Sequence, residues 1–359
     1  MEHKNDYAQS GGSRNHFLPA GRRFGCGRAG LIFLSLAMKR QTLSALCGLL
    51  AVTLTASAFG QQAYPNKSVR VVVPFAPGGG ADTLARILFG ELTVDFGQQF
   101  IIDNRGGGSG TIGASLVAKA TPDGYAILHD ATGFSINPAM FPKLPYNPVK
   151  DFLPVFLAGR VPNLLVIHPS VSAVTVANII ELAKASREGL NWGSSGNGSV
   201  QHMALELFRI SAGIRLNHIP YKSGAPALAD LMGGHLKFYF SNAAASTNLV
   251  KAGTIRAVAH TGRGRLAAFP ALPPVADTLP GYEAYEWNGV FVPAGTPRAV
   301  IDRLNAGLNA VIRVQAVIDR LASRSVQTRA NNPAEFGAFV AAETDKWGKV
   351  VRTANIKAE

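Results

Sequence analysis

Residues 69–96 read VRVVVPFAPGGGADTLARILFGELTVDF, and three signals follow one another along them. Residues 69–75 are a near-continuous apolar run rich in Val, the pattern of a strand buried on both faces of a parallel sheet. Pro77-Gly78-Gly79-Gly80 then turns the chain. From Ala81 onward, Leu84, Ile87, Leu88, Leu92 and Phe96 recur at helical spacing. Strand, glycine turn and helix in this order open a βαβ unit, which makes the expected class α/β.

The alternation continues outward from this stretch. Strands are expected at residues 100–103, 125–129, 155–158, 164–168, 190–193, 216–219, 236–240, 255–260 and 290–292, and helices at 111–119, 176–187, 200–212 and 226–232. Near the C-terminus, Thr296-Pro297 reads as an N-cap followed by Pro at the first helical position, with Val300, Ile301, Leu304, Leu308, Val311 and Ile312 as the buried face. Asn332-Pro333-Ala334-Glu335 is a capping-box variant that opens a last helix.

The chain has 359 residues, 47% of them hydrophobic and 16% charged, with 38 Gly, 21 Pro, 2 Cys and a formal net charge of +13. This length exceeds what one core commonly serves, so two domains are expected. The composition excludes a disordered chain, and glycine without a three-residue period excludes collagen. Met38-Lys39-Arg40 precedes an apolar run over residues 43–59 that ends in Ala56-Ser57-Ala58. Basic, apolar and small residues in this order form a secretory signal peptide, and the run is short for a membrane span of about 20 residues. Translation is expected to start at Met38, with residues 1–60 removed from a periplasmic mature protein. Those residues carry 7 Lys and Arg against 2 Asp and Glu, which leaves 28 against 20 and a net charge of +8. Cys26 and Cys47 leave with them, so no disulfide framework or thiolate metal site is expected.

Two small-residue loops stand at helix starts, one in each half: Gly78, Gly79, Gly80, Ala81 and Asp82, and Ser194, Ser195, Gly196, Asn197, Gly198 and Ser199. Unpaired N–H groups and the positive end of the helix dipole make such a start an anion site, and glycine lets a ligand approach the backbone. Equally, the glycines can do no more than turn the chain. Asp82 reads either as a ligand acceptor or as a cap of its own helix. Gly108-Ser-Gly110-Thr-Ile-Gly113 with Asp130 matches the dinucleotide fingerprint, but Asp103-Asn104-Arg105 separates the glycines from their strand. Ser195 or Ser199 with His202 offers part of a hydrolase dyad. The histidines at 129, 168, 202, 218, 235 and 260 have no metal-ligand spacing, so neither metal nor cofactor is expected. Basic residues are unclustered, which argues against nucleic acid.

Several longer segments go further: YPNKSVRVVVPFAPGGGADTLAR (64–86), DNRGGGSGTIGA (103–114), TPDGYAIL (121–128), INPAMFPKLPYNPVKDF (136–152), SSGNGSVQHMALELF (194–208), HIPYKSGAPALADLMGG (218–234) and VPAGTPRAVIDRLN (292–305). Through them the chain resembles the extracytoplasmic solute receptors of tripartite tricarboxylate transporters, the Bug family. The resemblance covers essentially the whole mature chain. It implies a type II periplasmic-binding-protein fold, two α/β domains closing on a ligand cleft. Residues 61–160 and 288–359 would form domain 1 and residues 161–287 domain 2, with chain crossings near 160–163 and 285–288. It implies a monomeric, non-enzymatic receptor that holds a mono- to tricarboxylate with backbone N–H groups, hydroxyls and ordered waters rather than arginines, and passes it to membrane permease subunits or a sensor. Carried over, the ligand-binding residues are Phe75, Gly78, Gly79, Gly80, Ala81, Asp82, Thr132, Gly133, Ser194, Ser195, Gly196, Asn197, Gly198, Ser199, His202 and Asn242. The alternative is an exported α/β enzyme, a Ser/His hydrolase or an NAD-dependent dehydrogenase. The chain departs from the family pattern at Ser241, Gly106 and Gly80-Ala81, where an acid, a proline and a hydroxyl pair are usual. The loss of the acid weakens an amino-acid ligand, and the loss of hydroxyls favours a less polar carboxylate.

Overall fold

β1 (Val69–Val73) and α1 (Gly80–Phe96) form in the order expected, as described by a computed structural model that covers residues 64–357. The signal-peptide reading of residues 1–60 lies outside the described residues. α1 ends at Gly97, whose φ of 64° is open to glycine without a Cβ penalty. β2 (Phe100–Asn104) and β3 (Ala126–Ala131) flank β1 in parallel, with Val69 opposite Phe100 and Val71 opposite Ile127. α2 (Thr111–Ala118) connects them, and α3 (Gly133–Met140) follows β3.

The centre of the molecule is β4 (Phe152–Ile167), a single strand of 16 residues where two short strands were expected. From Phe152 to Pro162 it runs antiparallel to β9 (Tyr285–Pro293). From Asn163 to Ile167 it pairs instead with β7 (Phe238–Asn242), and along Leu164 to Ile167 with β8 (Arg256–His260). Gly159 and Pro162 suggest a break in the sequence, yet both can lie in an extended chain. Arg160 bonds Gln327 in both directions, at 2.9 and 2.8 Å, and Asn163 N–H donates to Thr261 Oγ1 at 2.8 Å, so the backbone there stays satisfied.

Beyond β4 come α4 (Val176–Ala185), β5 (Leu190–Ser194), α5 (Val200–Ala212), β6 (Leu216–Pro220) and α6 (Gly224–Met232). α7 (Ala243–Lys251) follows β7, and α8 (Arg298–Val311), α9 (Gln315–Ala322) and α10 (Pro333–Ala354) close the chain. The strand order is β2-β1-β3-β9-β4-β7-β5-β6, with β8 also on β4. Helices cover the two halves of this sheet and make two α/β lobes. The first lobe buries Val71, Leu88, Phe89, Ile127, Phe156 and Leu304, with Phe134, Phe152, Trp287 and Phe291 beside them. The second buries Leu165, Ile179, Trp192, Leu205, Phe208 and Phe240, with Val166, Leu231 and Tyr239 beside them. Truncating a side chain as enclosed as Leu88 to alanine costs about 2–5 kcal/mol.

Local signals and structure differ at three helices and one cap. α3, α7 and α9 were not expected. α3 carries Pro138 inside it and ends two residues later. α7 has little apolar stripe and is instead started by Asn242, whose Oδ1 accepts from Ala244 N–H at 2.9 Å. At α8 the N-cap is Pro297, because the Thr296 hydroxyl donates back to Pro293 O at 2.7 Å. The Asn332–Glu335 capping box of α10 forms as read. α10 gives Phe336 to the first core and Trp347, Val350 and Val351 to the second, so the last helix straps both lobes.

Candidate functional site

A cavity of about 590 Å³ lies between the lobes. From the first lobe its wall takes Phe75, Ser109, Ala131, Thr132 and Gly133, with Ile136, Asn137 and Met140 along α3 and Phe141 just after it. From the second it takes Ser195, Asn197, Gly198, Ser199, Val200 and Gln201, and the segment Lys222-Ser223-Gly224. Glu286, on β9 where the strand passes between the lobes, completes it.

Three helices begin at this wall: α3 after Thr132, α5 after Ser199 and α6 after Ser223. The first N–H groups of a helix lack intrahelical partners, so each start favours a negative group. Ser199 caps α5, its hydroxyl accepting from His202 N–H at 3.2 Å. Ser223 makes no side-chain cap bond. The Thr132 hydroxyl is engaged by the crossing strand and accepts from Trp287 N–H at 2.8 Å. Gly196 and Gly198 sit at φ 128° and 74°, which L residues rarely adopt, and this conformation brings the loop's backbone to the cavity. The exposed Lys222 adds a cation to the wall.

Of the residues singled out in the sequence, the wall contains Phe75, Thr132, Gly133, Ser195, Asn197, Gly198 and Ser199. Gly78, Gly79, Gly80, Ala81 and Asp82 stand beside it. Asp82 is buried and turned onto its own loop, where its carboxylate accepts from Gly78 N–H, Arg86 and the Asn104 amide, each at 2.9 Å. Burial alone would raise the Asp82 pKa, and these donors instead hold it down at about 2. The start of α1 therefore already carries a carboxylate of the chain. Ser194, Gly196, His202 and Asn242 lie behind the wall and brace it. Gly198 N–H donates to His202 Nδ1 at 3.1 Å, Gly196 N–H donates to Ser194 Oγ at 3.2 Å, and the Asn242 amide donates to Glu286 Oε2 at 2.8 Å.

Sequence reasoning passed over Ser109, Asn137, Gln201, Lys222, Ser223 and Glu286. Ser109 and Asn137 are joined across the wall, the amide donating to Ser109 O at 2.9 Å. A helix over 226–232 was expected here, but the small residues Ser223-Gly224 at its start were not read as part of a binding loop. Asp130, beneath Ala131, is fully enclosed, and burial raises its pKa to about 7 against the opposing hydrogen bond from Ala131 N–H.

The enzyme readings find no support in this geometry. The Ser195 hydroxyl donates to Gln201 Oε1, Ser199 Oγ accepts from the His202 backbone N–H, and His202 Nδ1 accepts from Gly198 N–H, so neither hydroxyl is bonded to the His202 ring. Ser194 Oγ does meet His218 Nε2 at 2.5 Å, but Ser194 is fully buried and off the cavity wall. The Gly108–Gly110 turn follows β2 after an intervening segment, 105–107, rather than rising directly from the strand end. No group of three or more His, Cys, Asp and Glu able to hold a metal occurs among the described residues, and no described helix is long and apolar enough to cross a membrane.

Comparison with known proteins gives this geometry a family. Residues 84–356 match the tripartite tricarboxylate transporter family receptor. A protein encoded in the tcbD-tcbE intergenic region of Pseudomonas sp. strain P51 is 36% identical over 313 residues, 85% of this chain and 92% of that protein. Among solved structures, Rpa4515 of R. palustris with adipate is 36% identical with a TM-score of 0.72, covering 82% of this chain and all of that one. MatC of Rhodopseudomonas palustris with bound malate is 29% identical with a TM-score of 0.68, covering 80% of this chain and all of that one. The family is one of solute receptors and not of enzymes, and the chain belongs to this tripartite tricarboxylate transporter receptor family.

Proposed function

We propose that the interlobe cavity binds a small organic acid through its carboxylate, and that lobe closure presents the loaded receptor to a membrane permease. The observation that carries this reading is the convergence of three helix N-termini, from α3, α5 and α6, on one cavity. Backbone N–H groups and hydroxyls favour an anion while leaving no buried cation to desolvate when the site is empty, so ligand release stays easy. Lys222, being exposed, draws anions toward the opening. Phe75, Ile136, Met140 and Phe141 offer apolar surface to the carbon chain. The structural relatives bound to adipate and to malate support a carboxylate of this size.

In this reading Phe75, Thr132, Gly133, Ser195, Asn197, Gly198 and Ser199 touch the ligand. Gly78 to Asp82, Ser194, Gly196, His202 and Asn242 hold those residues in place. Residues 61–160 and 288–359 move as one domain against residues 161–287, with β4 near Arg160–Asn163 and β9 near Tyr285–Asn288 as the hinge, and α10 strapping both. The ligand's higher affinity for the closed form supplies the shift. The mature receptor is a periplasmic monomer released from a signal peptide within residues 1–60.

Thermal shift and calorimetry against a panel of carboxylates that includes adipate and malate test the reading. At least one acid should raise Tm by several degrees, as a ligand at 100 times its Kd adds about 2.7 kcal/mol. Ser195→Tyr, which fills the cavity, should abolish the response while the unliganded Tm stays within a few degrees. Absence of any response across the panel would refute the proposal.

A further inference from the structure

Glu286 is a carboxylate on the wall of a cavity otherwise arranged for anions. It lies on the crossing segment of β9, opposite Val161 on β4. The Asn242 amide holds its Oε2 at 2.8 Å, and Gln201, itself anchored to Asn163 Oδ1 at 3.1 Å, is a second hydrogen-bonding partner. On the other side, a Cβ added at Gly80 would lie 3.6 Å from Glu286 Oε1, so the carboxylate sits between the start of α1 and the second lobe. It is thus a positioned group, held from the second lobe and facing Gly80 of the first, and among the described residues no cationic side chain pairs with it.

We infer that Glu286 sets the ligand's chemical class: the bound acid presents a hydroxyl or ammonium group to Glu286, and a second carboxylate is disfavoured there. The inference rests on the carboxylate-receptor reading and refines it. An ionised carboxylate offers about four acceptor positions, and the two amides leave capacity that only a donor can meet. Burial pushes the Glu286 carboxyl above its usual range, against the lowering effect of Asn242 and Gln201. A donor from the ligand relieves that cost, whereas a second anion in a partly desolvated cavity adds like-charge repulsion. The acid's own carboxylate is then left to the helix starts and Lys222, which makes the cavity polar at both ends in opposite senses. Glu286 here is a specificity residue, and Asn242 and Gln201 are its positioning residues.

The test measures Kd by calorimetry for matched acids of three to six carbons: ω-hydroxy and ω-amino monocarboxylates against the dicarboxylate of equal length. Wild-type protein should prefer at least one donor-bearing acid over its matched dicarboxylate by tenfold or more. Glu286→Gln, which keeps the shape and adds an N–H donor, should lower that ratio by tenfold or more, chiefly by gaining dicarboxylate affinity. A wild-type preference for dicarboxylates throughout, or a ratio unchanged in Glu286→Gln, overturns the inference and leaves the receptor reading standing. If neither series binds wild-type protein, the inference falls, and the receptor reading is decided by the wider carboxylate panel.

Discussion

The imidazole rings of His202 and His218 stack with centroids 3.7 Å apart and planes 12° from parallel, directly behind the glycine loop of the second lobe. His202 Nδ1 takes the Gly198 N–H, and His218 Nε2 meets Ser194 Oγ. Each end of the loop thus rests on one ring of a pair that must stay neutral. Desolvation lowers the His202 pKa to about 3, with the neighbouring His218 adding to it, and desolvation alone lowers His218 to about 4. Both rings contribute as depressed groups do: between pH 6.5 and about 4 the unfolded chain binds more protons, so stability falls as pH falls. The penalty is on the order of 1–2 kcal/mol per ring at pH 5. His218→Gln should therefore show a smaller loss of Tm than wild type between pH 7 and pH 5. An equal loss in the two proteins would show that the rings do not carry it.

Asp130 works in the opposite direction. Its folded pKa is raised to about 7, so the carboxyl favours folding at low pH, and that contribution is lost as pH rises from about 4 through 7. Asp130→Asn should raise Tm above pH 7 and have little effect near pH 4, and its Oδ1 can still accept from Ala131 N–H. Melting curves of the two proteins at pH 5 and pH 8 check the sign. A gain confined to pH 5 would contradict it.

The first glycine loop is held by Asp82, so Asp82→Ala should leave the Gly78 N–H, Arg86 and the Asn104 amide without their acceptor. A loss of about 1–3 kcal/mol at neutral pH is expected in chemical denaturation. Because the Asp82 pKa is depressed to about 2, the wild-type advantage is present above pH 4 and disappears as pH falls through 2.

Gly79 and Gly198 separate bracing from binding. A Cβ at Gly79 meets Ala76 O at an ordinary 3.4 Å, whereas at Gly198 it would lie 3.0 Å from Met140 Cε with φ at 74°. Gly79→Ala should leave ligand affinity within about threefold. Gly198→Val should reduce it by tenfold or more and cost about 1–3 kcal/mol of stability through backbone strain. Calorimetry on both variants with the acid that binds wild type reads the difference.

Lys222 is exposed at the cavity, so Lys222→Gln should slow association more than it speeds dissociation. Stopped-flow binding should also show a weaker dependence on salt in the variant, because a rim charge acts through steering.

Much of the architecture was open to a reading of local pattern. The valine run, the glycine turn and the stripe from Leu84 to Phe96 specify a βαβ start, since burial on both faces of a parallel strand demands continuous apolar residues. The loop from Ser194 to Ser199 was also visible as small residues at a helix start, a pattern it shares with Gly78–Gly80, so the pattern alone did not tell the two apart. Short-range pattern failed where partners lie far along the chain. β4 is continuous because β9 and then β7 satisfy its backbone across Gly159 and Pro162.

The amino-acid sequence by itself determined the α/β class, the order of most elements, the family resemblance and the second-lobe loop. Each of these depends on residues close together in the chain or on long ordered segments. Only the tertiary structure decided that the start of α3 lines the cavity. It alone placed Lys222 and Glu286 on the same wall, and set Asp82 against its own loop. The physical reason is that a helix N-terminus favours any anion held close to it, whether a ligand's or the chain's own. Which one is held there depends on distances between segments that no local pattern encodes.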